Sequence, residues 1–184
     1  YYTYKKKMPV GRVADLLAPS LPLAHMFGRF GCFSAGCCYG KVCQGLLCKI
    51  ALRFPAVYDK KGELIGSFVY IDHLQRGLVT ADMPYSLPVI PTQLLEAGAL
   101  FLIFCVLLLL SRKRLRSGHL FLLYLIMYSV WRFGIEFVRG DVERGIWFGG
   151  ISTSQIITAL IIVGIIIYLI REKKVIQKPS GRRG

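Results

Sequence analysis

The run QLLEAGALFLIFCVLLLL, residues 93–110, decides the fold of this 184-residue chain. A continuous apolar run near this length predicts a helix that crosses a membrane, because a bilayer core needs about 20 residues of helix. Residues 120–138 and 151–170 form two further runs of this kind. Hydrophobic residues make up 54% of the chain although its formal net charge is +14, which excludes an ordinary water-soluble domain and a disordered basic tail.

A fourth span is predicted over residues 13–40, although polar and helix-breaking residues interrupt it. These residues are Asp15, Pro19, Pro22, His25 and Arg29. Because a membrane tolerates such interruptions only where protein or water shields the backbone, we expect a broken helix that faces the protein interior. The start, YYTYKKKMPV, has neither a leading methionine nor an apolar core, so we expect no signal peptide and a chain that begins partway through a longer protein.

Lysines and arginines predict the orientation of these spans. Most of the 24 basic residues lie in three clusters, at 5–12, 112–116 and 171–183. With four spans, all three clusters fall on the same side of the membrane. An excess of lysine and arginine in short flanking segments is typical of the cytoplasmic side. The expected order is a cytoplasmic segment 1–12, a span 13–40, an extracytoplasmic arm 41–91, a span 92–111, a cytoplasmic loop 112–118, a span 119–139, an extracytoplasmic loop 140–150, a span 151–170 and a cytoplasmic tail 171–184. Because the basic clusters adjoin spans, we interpret the net positive charge as a signal for membrane orientation and as attraction to anionic lipid. We expect no nucleic-acid partner.

The arm is predicted to contain a small hairpin at the membrane surface. SFVYID, residues 67–72, alternates apolar and polar residues as a strand does. DKKGEL, residues 59–64, and MPYSLP, residues 83–88, carry turn signals. The predicted fold class is therefore an all-α polytopic membrane protein with about four transmembrane helices and a small extracytoplasmic arm.

Ionisable residues recur inside the predicted spans, where each costs about 2.5 to 3.5 kcal/mol on insertion scales. In SVWRFGIEFVRGD, residues 129–141, the spacing of Arg132, Glu136 and Arg139 is i, i+4 and i+7, which predicts one helical face. Gln93 and Glu96 lie on the first outer turn of the neighbouring span, so we expect them at the same depth.

Arg29 lies toward the outer end of its own span, so three helices are expected to direct polar groups to one outer-leaflet region. In the alternative interpretation, Arg132 and Glu136 only pair with each other, and Arg139 extends to the lipid headgroups. Because three arginines outnumber two glutamates, we expect an anion in the site, and a phospholipid phosphate suits the guanidinium fork. Gly28, Gly31, Gly36 and Gly40 remove side chains where a headgroup or another helix approaches the backbone.

Three motifs together resemble the signature series of the prolipoprotein diacylglyceryl transferase family. They are GRFGCFSAGCCYG at 28–40, PTQLLE at 91–96 and WRFGIEFVRGD at 131–141. Their order and spacing match the family over nearly the whole chain. The resemblance implies a fragment of a seven-helix fold in the bacterial inner membrane, with the active site toward the outer face.

The resemblance also implies a reaction and its residues. A diacylglyceryl group would pass from phosphatidylglycerol to the lipobox cysteine of a preprolipoprotein signal peptide, with membrane lipids as further partners and with no cofactor and no metal. Arg29 and Arg132 would be catalytic. The phospholipid-binding set would be Arg29, Gly31, Gly40, Gln93, Glu96, Arg132, Glu136 and Arg139.

The chain departs from the family pattern at several positions. Cys32 stands for the usual asparagine, Cys37 for a common glutamate and Leu95 for the tyrosine of the third motif. The family's N-terminal helices and its His-Gly-Gly element, proposed to supply a catalytic histidine, are not matched. His25, His73 and His119 do not fit that element, so the chain by itself is expected to bind lipid and to be slow or inactive.

Five of the six cysteines fall between residues 32 and 48. Free thiols, or one disulfide among Cys37, Cys38, Cys43 and Cys48, are both compatible with an oxidising compartment. A four-cysteine zinc site is disfavoured, because the spacing lacks the Cys-x2-Cys knuckles of such sites. Cys105 stands alone in a span and is expected to pack as a small hydrophobe.

Two other classes of function stay open from the sequence. An anion transporter or channel also buries arginines along its path, and a non-catalytic membrane scaffold would need no reaction at all. Transport is disfavoured, because the polar residues lie toward the outer end of their spans and no inverted repeat is apparent.

Overall fold

The computed structural model describes residues 8–43, 45–140 and 151–177 and is built mainly from α-helices. Three helices carry apolar stretches long enough to cross a membrane, Thr92–Ser111, His119–Val138 and Thr153–Glu172. The predicted class, an all-α polytopic membrane protein, is confirmed. The described residues do not include parts of the predicted segments 1–12 and 171–184, nor nearly all of the loop 140–150.

Two helices cover most of the region 13–40, for which a broken helix is predicted. α1 covers Val10–Leu17 and α2 covers Ser20–Ala35, and the chain breaks between them at Ala18 and Pro19. The break follows from the proline, which cannot donate the backbone hydrogen bond that a continuous helix needs. α2 ends at Gly36, whose φ of 67° lies in the left-handed region that favours glycine.

The long helices are α4 over Thr92–Ser111, α5 over His119–Ile135 and α6 over Thr153–Gln177. α2 packs along α4, and α5 packs on both α4 and α6. Ser152 and Gln155 form a capping box at the start of α6: the Gln155 Oε1 atom accepts from Ser152 N at 3.0 Å, and Ser152 Oγ accepts from Gln155 N at 3.3 Å.

The helices meet in an apolar cluster at the level of the α1–α2 break. Its buried members are Ala18, Ile103, Leu107, Leu120 and Tyr124. Many other large apolar side chains on α4, α5 and α6 point outward, for example Leu102, Leu109 and Leu160, which are 66%, 64% and 67% exposed. Such outward faces are expected where the neighbour is lipid rather than water.

The arm between α2 and α4 is mostly irregular. It begins with a disulfide between Cys43 and Cys48, whose Cα atoms are 5.3 Å apart, and a 3₁₀ helix over Gly45–Ile50. β1, Val57–Tyr58, pairs antiparallel with β2, Leu64–Gly66. The turn predicted at 59–64 connects them, with Asp59 Oδ1 accepting from Lys61 N and Glu63 N, both at 2.8 Å.

Two predictions for the arm are wrong. SFVYID lies largely in α3, Phe68–Gln75, and its buried residues Val69, Tyr70 and His73 follow a helical rather than an alternating pattern. The stretch 83–88 is not a simple turn, since Tyr85 forms an isolated bridge with Pro55 and Val89 forms another with Leu52. The extended stretch therefore lies against the beginning of the arm.

Candidate functional site

Two arginine and two glutamate side chains meet between α2, α4 and α5. Arg29 Nη2 lies 2.7 Å from Glu96 Oε1, and Arg132 Nη1 lies 3.9 Å from Glu96 Oε2. Arg132 Nη2 is also 3.3 Å from Oε2 of Glu136, one turn further along the chain. Glu96 thus joins two guanidinium groups from different helices, and the four residues form what we call the Arg–Glu cluster.

The Arg–Glu cluster is largely shielded from solvent. The side chains of Glu96 and Glu136 are 3% exposed, and those of Arg29 and Arg132 are 18% and 13% exposed. Charges this deep are tolerated only when they are paired, because an unpaired buried ion loses its hydration without compensation. The arginines keep a small accessible area, so a ligand can reach them while the glutamates stay covered.

One donor of the cluster has no hydrogen-bond acceptor among the residues that the structure describes. The Nη1 atom of Arg132 is buried, and its approach to Glu96 at 3.9 Å is too long for a hydrogen bond. Buried donors are nearly always satisfied, so an orphaned guanidinium nitrogen indicates a missing acceptor. An anionic oxygen would satisfy it.

A cavity of about 330 Å³ lies beside Arg132, between α2, α5 and α6. Its polar lining includes His25, Tyr128, Ser129, Arg132 and Ser154. Ser154 Oγ donates to Glu136 Oε2 at 2.9 Å, so α6 also contributes to the site. Ser154 was not predicted, although its place in the polar start of an otherwise apolar helix is a usable signal.

His25 has a defined setting in this cavity. Its Nδ1 lies 3.2 Å from the Tyr124 hydroxyl, and its ring is 5.4 Å from that of Tyr128. His25 lies four residues before Arg29, which places both on one face of α2. From the sequence, His25 is predicted only to interrupt its span, and its position in a cavity beside Arg132 follows from the fold.

Gln93 acts on the backbone rather than on the Arg–Glu cluster. Its Nε2 donates to the Cys37 carbonyl at 2.6 Å, while Thr92 Oγ1 donates to the Cys38 carbonyl at 2.7 Å. The Oε1 atom of Gln93 is buried and has no hydrogen-bond partner in the described part of the chain. The start of α4 therefore fixes the loop that follows α2.

Arg139 does not share a helical face with Arg132 and Glu136, as its spacing predicted. α5 ends at Ile135, a 3₁₀ turn covers Glu136–Val138, and Arg139 is extended and forms a bridge with Gly40. Pairing with the loop after α2 overrides the helix, since Lys41 N donates to the Val138 carbonyl at 2.9 Å. Arg139 is nevertheless buried, at 7% exposure.

The predicted glycines lie in two different settings. A Cβ at Gly40 would lie 2.7 Å from both the Cβ and the carbonyl oxygen of Ile90, so Gly40 permits a close crossing of backbones. A Cβ added at Gly28 or Gly31 would meet nothing within 4 Å among the described residues, so these two glycines leave open space on α2. Another part of the chain therefore approaches the backbone closely at Gly40 but, among the described residues, not at Gly28 or Gly31.

The fold and the site define a polytopic α-helical membrane protein with a buried cluster of arginines and glutamates below a short arm. The sequence model of the family described as prolipoprotein diacylglyceryl transferase matches residues 1–171. The chain belongs to this family, and the resemblance seen in its three motifs is confirmed.

Relatives with curated names agree with this membership. A phosphatidylglycerol–prolipoprotein diacylglyceryl transferase from Clostridium tetani is 35% identical over 171 residues, covering 91% of this chain and 56% of the relative. A protein from Clostridium perfringens, named phosphatidylglycerol–prolipoprotein diacylglyceryl transferase 2, is 34% identical and covers 97% of this chain. A phosphatidylglycerol–prolipoprotein diacylglyceryl transferase from Treponema denticola is also 34% identical and covers 100% of this chain. The chain spans 56% to 60% of the length of these three relatives.

Proposed function

We propose that this chain supplies the phosphate-binding part of an enzyme that transfers a diacylglyceryl group from phosphatidylglycerol to a preprolipoprotein. The family membership and the names of the relatives support this assignment. The acceptor is the lipobox cysteine of the signal peptide. Membrane phospholipid is then both the surroundings of the protein and its substrate.

The observation that carries the proposal is the meeting of Arg29 and Arg132 on Glu96, with Arg132 Nη1 left without an acceptor among the described residues. A phosphate offers several anionic oxygens to guanidinium groups, which bind them through paired hydrogen bonds. A headgroup phosphate would supply the acceptor that Arg132 Nη1 lacks among the described residues.

The chemistry is the displacement of a phosphate ester by sulfur. The acceptor thiol gives its proton to a general base, which we expect outside the residues of this chain. The thiolate then attacks the glycerol carbon that bears the phosphate. A carbon–sulfur bond forms as the carbon–oxygen bond breaks, and glycerol phosphate leaves with the bonding electron pair. Arg29 and Arg132 stabilise the negative charge that grows on the leaving oxygen. Electrostatic stabilisation of the transition state is usually the largest single contribution to catalysis.

A long apolar groove between α4 and α5 supports a lipid substrate. Its volume is about 740 Å³, and its lining includes Leu102, Ile103, Met127 and Val130. The groove follows the same two helices that carry Glu96 and Arg132. An acyl chain in this groove would place its headgroup near the Arg–Glu cluster.

The proposed orientation puts the Arg–Glu cluster toward the outer face of the bacterial inner membrane. The charge clusters at 5–12, 112–116 and 171–183 support cytoplasmic ends, with 13–40 as a fourth crossing formed by α1 and α2. The disulfide between Cys43 and Cys48 supports an extracytoplasmic arm, because disulfides persist in oxidising compartments.

The test is a transfer assay on a chimaera in which this chain replaces the matching part of the Clostridium tetani relative. We expect Arg29→Ala and Arg132→Ala each to lower transfer from labelled phosphatidylglycerol to a lipobox peptide by at least about 100-fold. Thioether-linked diacylglycerol on the peptide is the readout.

The matched control is Arg76→Ala, which also removes an arginine from an ion pair, with Asp72 at 3.0 Å, but in the arm. This variant is expected to retain transfer within a few-fold. Full transfer by either site variant would remove the assigned roles. Anion flux through vesicles without peptide modification would favour the transporter.

A further inference from the structure

Three free thiols meet where α2 ends. The Sγ atoms of Cys32, Cys37 and Cys38 all lie within 4.8 Å of one another, and each residue is partly buried. The other two cysteines of this region, Cys43 and Cys48, are joined in the disulfide. The three thiols therefore form a separate group, which we call the thiol cluster.

The turn at Gly36 brings the thiols together. The amide of Cys37 donates to the Cys32 carbonyl at 3.1 Å, which folds the chain back over the last turn of α2. Cys38 follows with a φ of 57°, so its backbone is also left-handed. The sequence spacing of i, i+5 and i+6 lacks the form of a zinc knuckle, and only the folded turn makes the three sulfurs neighbours.

Contacts from α4 hold this turn in place. Gln93 donates to the carbonyl of Cys37 and Thr92 to that of Cys38, at 2.6 and 2.7 Å. Gly40 N also donates to the Ile90 carbonyl at 2.9 Å, just beyond the cysteines. A ligand set fixed by surrounding hydrogen bonds loses little freedom when it binds an ion.

We propose that the thiol cluster binds one soft, thiophilic metal ion of the Cu⁺ or Zn²⁺ type through three thiolates. Sulfurs at about 2.3 Å from such an ion lie about 4 Å apart, so the cluster needs to contract by less than about 1 Å. Thiolate sulfur is the donor that these ions prefer. The thiol cluster consists of other side chains than the Arg–Glu cluster, and the inference does not rest on the proposed function.

The binding step releases protons and changes no oxidation state. Each of the three thiols loses its proton to solvent as its sulfur binds the ion, so metal affinity rises with pH. A zinc ion would hold its fourth position open to water, whereas a cuprous ion is satisfied by three sulfurs.

The first test counts thiols in the whole chain, purified in lipid nanodiscs without reductant and then denatured. We expect four reactive thiols, those of Cys32, Cys37, Cys38 and Cys105. A count of two, with two disulfides by mass, would overturn the proposal, because the cluster would then be oxidised rather than available to a metal.

The second test titrates the folded chain with Cd²⁺, a thiophilic probe with a sulfur-to-metal absorption band in the ultraviolet. We expect the band to saturate at one Cd²⁺ per chain and three thiols to become protected from maleimide. No band, or protection of no thiol, would overturn the proposal, and this readout needs no variant.

Serine variants assign the ligands. Cys32→Ser, Cys37→Ser and Cys38→Ser are each expected to weaken Cd²⁺ binding at least about tenfold, whereas Cys105→Ser, on α4, leaves it unchanged. Retention of the Cys43–Cys48 disulfide and of helical circular dichroism shows that each variant is folded. Unchanged binding in the three variants, or equal loss with Cys105→Ser, would contradict the proposal.

Discussion

Glu96 is the residue on which the Arg–Glu cluster depends. It contacts Arg29 at 2.7 Å and Arg132 at 3.9 Å, and its side chain is 3% exposed. A single buried carboxylate between two guanidinium groups holds helices α2, α4 and α5 in register at this level. Its removal leaves positive charges that face each other in a region of low dielectric.

We expect Glu96→Gln to destabilise the protein. Breaking a buried ion pair by removing one partner costs about 3 to 5 kcal/mol, and the amide oxygen still accepts one hydrogen bond, so we expect a loss of about 3 kcal/mol. The measurement is the free energy of unfolding in mixed micelles. Glu63→Gln, at an exposed position in the arm, is the control and is expected to stay within about 0.5 kcal/mol. Equal stability of the two variants would show that Glu96 is not a structural link.

The sequence was a good guide to the cluster at this scale, because the cost of burying charge makes each ionisable residue in a span informative. Arg29, Glu96, Arg132 and Glu136 are brought together by the fold. Helical spacing failed for Arg139, since a pairing between distant segments ends the helix before it. Ser154 was missed because a serine in a span carries no comparable cost and is common for many reasons.

At the scale of elements, Asp15 connects α1 to the start of α5. Its Oδ2 accepts from Gly118 N at 2.6 Å, and its Oδ1 accepts from Phe121 N at 3.0 Å. The first amides of a helix have no partners within the helix, and the positive end of the helix dipole favours a carboxylate there. Asp15 therefore interrupts the apolar sequence of its own span and caps the start of α5.

We expect Asp15→Ala to lower the free energy of unfolding by about 1 to 2 kcal/mol, in the range found for lost helix caps. Asp15→Asn keeps one acceptor oxygen and should lose about half as much. Chemical unfolding in micelles measures both. A larger loss for the asparagine variant than for the alanine variant would contradict the capping role.

The arm contains a pH-sensitive residue, His73, which is 1% exposed on α3. Burial lowers the pKa of His73, and the positive charge of Arg76 adds to this while Asp72 opposes it. The unfolded arm therefore takes up a proton more readily than the folded arm, so stability is lost as the pH falls through about 6.5.

The corresponding prediction is a decline in the arm's free energy of unfolding between pH 8 and pH 5, measured by hydrogen exchange of α3 amides. His73→Gln should flatten this decline, because glutamine does not titrate. A decline of equal slope in the variant would assign it to other groups.

Elements were predictable to different degrees. Long apolar helices are set by composition alone, so α4, α5 and α6 could be anticipated from hydropathy. A strand was predicted for residues 67–72, which lie largely in α3, because a short mixed stretch matches both periods. The packing of Val69, Tyr70 and His73 decides between them. The thiol cluster was also beyond the sequence, since it depends on the left-handed turn at Gly36 and Cys38.

For the whole molecule, the described helices combine an outward apolar surface with a buried polar region near the arm. At the opposite end, Glu172 lies 3.4 Å from both Arg116 and His119, and its contact with Arg116 is an ion pair. The proposed lipid phosphate completes the polar region beneath the arm.

A double-mutant cycle on phosphatidylglycerol binding tests whether Arg29 and Arg132 bind one and the same phosphate. Nanodiscs of phosphatidylcholine with a small fraction of labelled phosphatidylglycerol report the lipid retained by the chain. We expect Arg29→Ala and Arg132→Ala each to lose most of the bound label, and the double variant to lose little more, because both groups act on the same ligand. Losses that simply add, or no loss in either variant, would contradict the claim.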